Sequence, residues 1–253
     1  MSFQITTQAT LGTLVSEVAK AVGFAVTVAD AAGSTDPAVA QMTTAVNDAA
    51  ADLVGQHDWP DLITDSSLSV MAAVPGDALV TLALPADFFK FVNQTQNDQT
   101  ARLPTRNPLT AGDWQSIKTL APFVSFNLMW RVKGGNQVQF LNPPSTAHTF
   151  AFEYLSQAYV IDADTPTLFK NVATKNGDIF KFDPYLLRLL AVCHWRETKG
   201  FDSTGPRMKY DAAYRARFNR QEAGAVISTR GSPMSPLFRP IDSANIPETG
   251  FGL

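Results

Sequence analysis

Between Phe182 and Glu222 the chain carries two apolar-striped segments joined through a glycine, and the rest must pack around them. Asp183 stands where an N-cap side chain accepts from free amides. Pro184 follows at the first helical position, where its missing N–H costs nothing. Leu186, Leu189, Leu190 and Cys193 recur at i, i+3, i+4 and i+7, the spacing of one buried helical face. Leu187, Val192 and Trp195 widen that face until most of the helix is apolar, which predicts packing on more than one side. Arg196 and Lys199 suit a helix C-terminus, and Gly200 can take the left-handed conformation that ends it. A second helix is predicted after Pro206, with Met208, Ala212, Tyr214 or Arg215, and Phe218 inward and Lys209, Arg217 and Arg220 on the wet side. Two helices joined so closely form an antiparallel hairpin.

The N-terminal region repeats this logic. Thr7 or Thr10 can cap a helix striped by Leu11, Leu14, Val15, Val18 and Val22 and ended by Gly23. Residues 24–32 are ambiguous between a short strand and a packed loop. Thr35 or Asp36 then caps a helix that runs to about Gln56, with Val39, Met42, Val46, Ala49 and Leu53 on one face. Its alanines cost little entropy to order and let neighbours approach closely. Pro60 ends it, and Trp59 is expected to fold back as a buried anchor.

From Leu68 the period changes to two. Leu68, Val70 and Ala72 alternate with polar or small residues, Pro75-Gly76-Asp77 signals a turn, and 79–84 reads as the return strand. Residues 93–107 are polar without a period and read as an exposed strand and loop. Thr110 can cap a short helix holding Trp114 and Ile117. Residues 126–132 and 137–141 form a hairpin through Lys133-Gly134-Gly135-Asn136. A third strand, 148–155, with Phe150, Phe152 and Tyr154 facing one way, completes a predicted meander that Tyr159-Val160-Ile161 extends. Residues 162–181 read as a polar loop.

After Glu222 glycines and prolines punctuate a tail without helical or strand period, yet Leu237, Phe238, Ile241, Ile246, Phe251 and Leu253 supply apolar anchors. Such a tail cannot fold on itself and is stickier than a linker, which suits lying extended on another surface; the alternative is an unattached terminus. The expected fold class is α+β: a helical bundle from N- and C-terminal helices, an inserted antiparallel β-region and an extended C-terminal tail. The corresponding parts are 1–62, 63–161, 162–222 and 223–253. Trp59, Trp195, Tyr210 and Tyr214 are the aromatic candidates for core anchors or subunit contacts.

Composition narrows function. Of 253 residues 45% are hydrophobic, enough for a sizeable core, while only 17% are charged against about 25% in typical domains, so more of the surface is neutral. The net charge of −3 gives no field toward nucleic acid. The basic cluster Arg207, Lys209, Arg215, Arg217 and Arg220 is interleaved with Asp211 and Glu222, and reads as a solvated face or one meeting an acidic neighbour. The N-terminus lacks the basic and apolar regions of a signal peptide, and no apolar run suffices for a membrane span; a soluble cytoplasmic product is expected. One cysteine excludes an intrachain disulfide. Cys193 and His194 are neighbours that point about 100° apart on a helix, so they cannot pair as nucleophile and base. Asp162, Asp164 and Thr165 resemble half a cation loop, without its glycine or closing glutamate. No metal, phosphate-loop or nucleophile-elbow motif occurs, and no cofactor is expected.

Asp58-Trp59-Pro60, Leu84-Pro85-Ala86-Asp87-Phe88, Asn142-Pro143-Pro144, Phe152-Glu153-Tyr154 and the run from Trp195 to Asp202, in this order and spacing, resemble the head-to-tail adaptor (head completion or connector) proteins of tailed bacteriophages, in particular the tubular-protein-A-like adaptors of short-tailed phages. The resemblance spans roughly residues 36–222. It implies a non-enzymatic virion component, assembled in the host cytoplasm and placed at the head–tail junction. It further implies a homo-oligomeric ring, usually of twelve copies, docked beneath the portal protein. Genomic DNA passes through its lumen without sequence-specific binding, and a downstream tail protein (nozzle or tube) attaches below. The tail would reach the portal, with Leu237, Phe238, Arg239, Ile241, Ile246 and Phe251 as contacts. Two alternatives stand beside it: a tail tube or terminator protein, and a tail-associated cell-wall hydrolase using carboxylates between Asp162 and Asp178.

Overall fold

The computed structural model describes residues 9–24, 28, 30–72, 78–105, 108–119 and 127–221, with the side chains of 218–221 left aside. The chain divides into two units, Met1–Asp211 and Ala212–Leu253, and only 212–221 of the second are described.

In the first unit, three helices pack on one another: α1 (Leu11–Ala21), α2 (Pro37–Gln56) and α4 (Pro184–Thr198). Their caps are those the sequence announces. Thr10 accepts from the Thr13 amide, Asp36 from Ala38, and Asp183 from Tyr185 and Leu186. Leu11, Leu14, Val15 and Val18 of α1 face Met42, Val46, Ala49 and Leu53 of α2 and Leu186, Leu187, Leu190 and Cys193 of α4 in a core sealed from water. Gly200 ends α4 at φ 72°. Burying a large aliphatic side chain contributes about 2 kcal/mol, so the three stripes are the main source of the bundle's stability.

Helix α5 (Thr204–Gln221) begins two residues before Pro206, which occupies its first turn, where a proline is tolerated. The helical face is also rotated from the expected one. Met208 is 69% exposed and Ala212 is exposed, whereas Tyr210 is buried, its hydroxyl hydrogen-bonded to Gln56 Oε1.

The β-region corrects the expected pairing. Strand β1 (Ile63–Val70) pairs along its whole length with β8 (His148–Ser156), not with β2 (Leu79–Ala83). Strand β2 joins β7 (Gln137–Leu141) and β6 (Met129–Lys133) in a separate three-stranded sheet. The predicted 68–84 hairpin is therefore absent, and β8 does not continue a meander from β7. Strand β8 instead centres a five-stranded sheet with β1, β3 (Phe88–Phe91), β4 (Asn97–Asp98) and β5 (Leu103–Pro104). The reason lies in the alternation of β8. Phe150, Phe152 and Tyr154 fill one face and need aromatic partners from both sheets. They find Phe88, Phe91, Trp130 and Phe140 at ring-centroid distances of 5.0–5.7 Å. The β6–β7 hairpin is as read, turning through Gly135 (φ 79°) and Asn136 (φ 56°). Helix α3 (Ala111–Thr119), capped reciprocally by Thr110 and Asp113, covers Met129 and Leu141 with Trp114.

Two polar stretches also differ from expectation. Within 93–105, Gln96 and Asp98 are buried, and Asp98 binds His148 Nδ1 at 2.7 Å. Residues 162–181 are not a plain loop, and Val160–Ile161 does not extend a meander: β9 (Val160–Ile161), β10 (Phe169–Lys170) and β11 (Ile179–Phe180) form a third small sheet. Both stretches carry only two-residue strands, and buried polar side chains, Gln96 and Asp98 in one and Asp162 and Asp178 in the other, are held within them. The mixed α+β class is borne out; the tail from Ala223 lies outside the described residues.

Candidate functional site

The motifs that carry the resemblance turn out to be the joints of the molecule. Trp59 stops α2 and folds back, its indole N–H donating to the Leu53 carbonyl at 2.6 Å while its ring meets Phe182 edge-on. Its neighbour Asp58 reaches Lys90 of β3 at 2.6 Å. This pair ties the bundle to the sheet, though as an exposed pair it adds well under 1 kcal/mol. Asp87, leaving β2, accepts from Tyr154 Oη at 2.9 Å and from Ser156 Oγ at 2.5 Å. The Leu84–Phe88 motif and the Phe152–Tyr154 motif are thus two halves of one contact. Burial first, then the Asp87 carboxylate, push the Tyr154 phenol far above its usual range, so it stays a donor at every working pH. At Asn142-Pro143-Pro144 the Asn142 amide donates to Ala78 and the Pro144 carbonyl accepts from Ala72, which pins the crossing between sheets. Trp195 lies between Phe24 and Phe201, ring to ring at 6.1 and 6.0 Å.

The carboxylates between residues 162 and 178 form a second joint. Asp162 binds Lys170 and Lys175 at 2.9–3.0 Å and takes the Asp164 and Thr165 amides. Asp178, fully buried, accepts from Lys170 Nζ at 2.6 Å and from the amides of Ala163, Thr174 and Lys175. The Lys170 and Lys175 ammoniums and the Asp164 amide hold the Asp162 carboxyl well below its usual range. Burial raises the Asp178 carboxyl, but Lys170 and the three amides outweigh it and the net shift is downward. A general acid needs the opposite, a carboxyl raised toward neutrality. The pair fastens the 162–178 segment, which in turn holds the bundle: the Asp178 carbonyl accepts from Leu11, the Asn176 carbonyl from Gly12, and Asn47 of α2 exchanges two hydrogen bonds with Ala173. No sequence pattern announced this joint, because it is made of single residues far apart; the aspartates in an otherwise aperiodic stretch were its only trace.

The aromatic candidates separate. Trp59, Trp195 and Tyr210 are buried within the first unit. Tyr214 is half-buried in the second unit. Leu237, Phe238, Arg239, Ile241, Ile246 and Phe251 lie outside the described residues. Cys193 is buried, and burial pushes its thiol up. His194 does not face it but pairs with Asp52 at 3.0 Å. Large apolar side chains remain exposed at Leu168, Phe169 and Val172 on the fastened segment, and at Phe201 beyond α4. Among the described residues, no group of three or more histidine, cysteine or acidic side chains could hold a metal ion, and no helix is long and apolar enough to cross a membrane.

What the geometry offers is therefore a set of braced joints and outer surfaces. No curated protein matches the chain. A family model described as SU10 adaptor protein matches residues 9–237, which takes in both helical ends, the whole β-region and the start of the tail. The chain belongs to the SU10 adaptor protein family and is a structural adaptor component of a phage.

Proposed function

We propose that the chain is the head-to-tail adaptor of a phage virion, forming a closed ring beneath the portal, of twelve copies as the resemblance implies. Genomic DNA passes through the lumen, and the next tail protein binds the lower side. The single observation that carries the reading is the family match over residues 9–237. Two further features support it. Aspartates 162 and 178 are consumed in bracing, which suits a building block. The tail continues for some thirty residues past α5 with apolar anchors at intervals.

The parts divide the work as 1–62 and 162–222 for the bundle, 63–161 for the β-insert and 223–253 for the reach to the portal. Leu237, Phe238, Arg239, Ile241, Ile246 and Phe251 dock on the portal, and Trp59, Trp195 and Tyr210 keep the brick rigid. Deletion of residues 224–253 tests this. A pull-down with the portal protein should lose the truncated chain while circular dichroism and thermal melting show its core intact. Undiminished capture of the truncated chain contradicts the portal role of the tail.

A further inference from the structure

A ring subunit must offer two different side faces, since each copy contacts the next head to tail. The first unit carries two faces of opposite charge. On the outer side of the large sheet, Asp65 of β1 lies directly opposite Glu153 of β8. Like charges so placed repel each other. Neither forms an ion pair among the described residues, and Lys90 on the neighbouring strand is already held by Asp58. Ser67, Thr95 and Asn97 surround them in a shallow polar groove of about 560 Å³.

Between α1, α4 and α5 runs an open groove of about 720 Å³ lined by Lys20, Arg188, Arg196 and Lys209, with Glu17 its one acid. Glu17 is reached by Arg188 at 3.5 Å, and Arg196 donates to the Asp202 carbonyl at 3.0 Å. Lys20 and Lys209 are exposed and form no ion pair among the described residues. Among the described residues, two carboxylates without an ion pair on one face thus match two ammoniums without one on another face of the same unit.

We propose that the acidic sheet face of one copy seats against the basic helical groove of the next, with Asp65 and Glu153 meeting Lys20 and Lys209. This rests on the ring reading and names the surfaces that build it. The contact relieves the cross-strand repulsion, which an isolated copy must bear. Charges of this kind set orientation and encounter rate, and they weaken as salt rises.

Two double variants of the full chain test it: Lys20→Glu with Lys209→Glu, which has two acidic faces, and Asp65→Lys with Glu153→Lys, which has two basic ones. Sedimentation velocity over a concentration series at low salt reads association, and thermal melting confirms that each variant folds. The wild-type chain should associate, less so as salt is added. Each double variant should associate about tenfold or more weakly. An equimolar mixture of the two should recover association, because alternating copies again place opposite charges together; misfolding cannot produce that recovery. Wild-type behaviour of either variant, a mixture that stays dissociated, or a wild-type chain that remains monomeric throughout overturns the pairing. Incorporation of both variants into normal rings on the particle also overturns it while leaving the ring reading intact.

Discussion

At the scale of single residues, the buried tryptophans Trp59 and Trp195 make different demands. Trp59 donates its indole N–H to the Leu53 carbonyl. The Trp195 indole N–H is buried with no hydrogen-bond partner among the described residues. Replacing Trp59 by Phe loses packing and a hydrogen bond and leaves a carbonyl short, whereas replacing Trp195 by Phe loses packing alone. Chemical denaturation should show Trp59→Phe to be the more damaging by about 1–2 kcal/mol; equal costs would contradict the assigned role of the bond. The Asp162 and Asp178 carboxyls titrate below the usual 3.8 when folded. The folded state then holds fewer protons than the unfolded one at acid pH. Their contribution is complete above about pH 4 and is lost as pH falls through the lowered folded values. Melting temperature should therefore drop below pH 4. In a chain carrying Asp162→Asn and Asp178→Asn it should start lower at neutral pH and vary less with acid; an unchanged pH profile would contradict the bracing role.

At the scale of elements, α1 depends on one close approach. A Cβ on Gly12 would lie 2.3 Å from Asn176 Oδ1, an atom already accepting from the Ala31 amide. Alanine is the better helix former by about 1 kcal/mol, yet Gly12→Ala should lower stability, because Asn176 must leave its hydrogen bond to make room. A raised melting temperature would show that Asn176 gives way freely. The helices were legible in the sequence because their causes are local: Asp36, Thr10 and Asp183 cap them, and stripes repeat every third or fourth residue. Strand existence was legible for the same reason, from alternation at Leu68–Val70 and Phe150–Tyr154. Strand partnership was not. The match of β1 to β8 joins residues some eighty positions apart, and the shared aromatic face that decides it is visible only when both sheets are in place. The turn chemistry at Pro75-Gly76-Asp77 pointed to a nearer partner, and the pull of the aromatic core outweighed it. The face of α5 differs from the expected one because, among its described side chains, only Tyr210 is buried, and a single anchor sets no period.

At the scale of the whole molecule, the resemblance was carried by short motifs, and their positions explain why they hold together as a set. Asp87 meets Tyr154 and Ser156, Trp59 meets Phe182, and Asn142-Pro143-Pro144 pins the crossing between sheets. Each is a joint that a braced building block needs. Joints of this kind do not reveal which surface meets which neighbour. Surface partnership leaves no periodic trace in a sequence, so the proposed ring faces rest on the placement of Asp65, Glu153, Lys20 and Lys209 in space. The central claim, that the outer surfaces are the working parts, is tested most directly by imaging the particle's head–tail junction at side-chain resolution. The account predicts a closed ring of this chain between portal and tail, with residues 223–253 running up along the portal. Single copies of the chain, or a ring whose C-terminal residues touch no portal subunit, would contradict it.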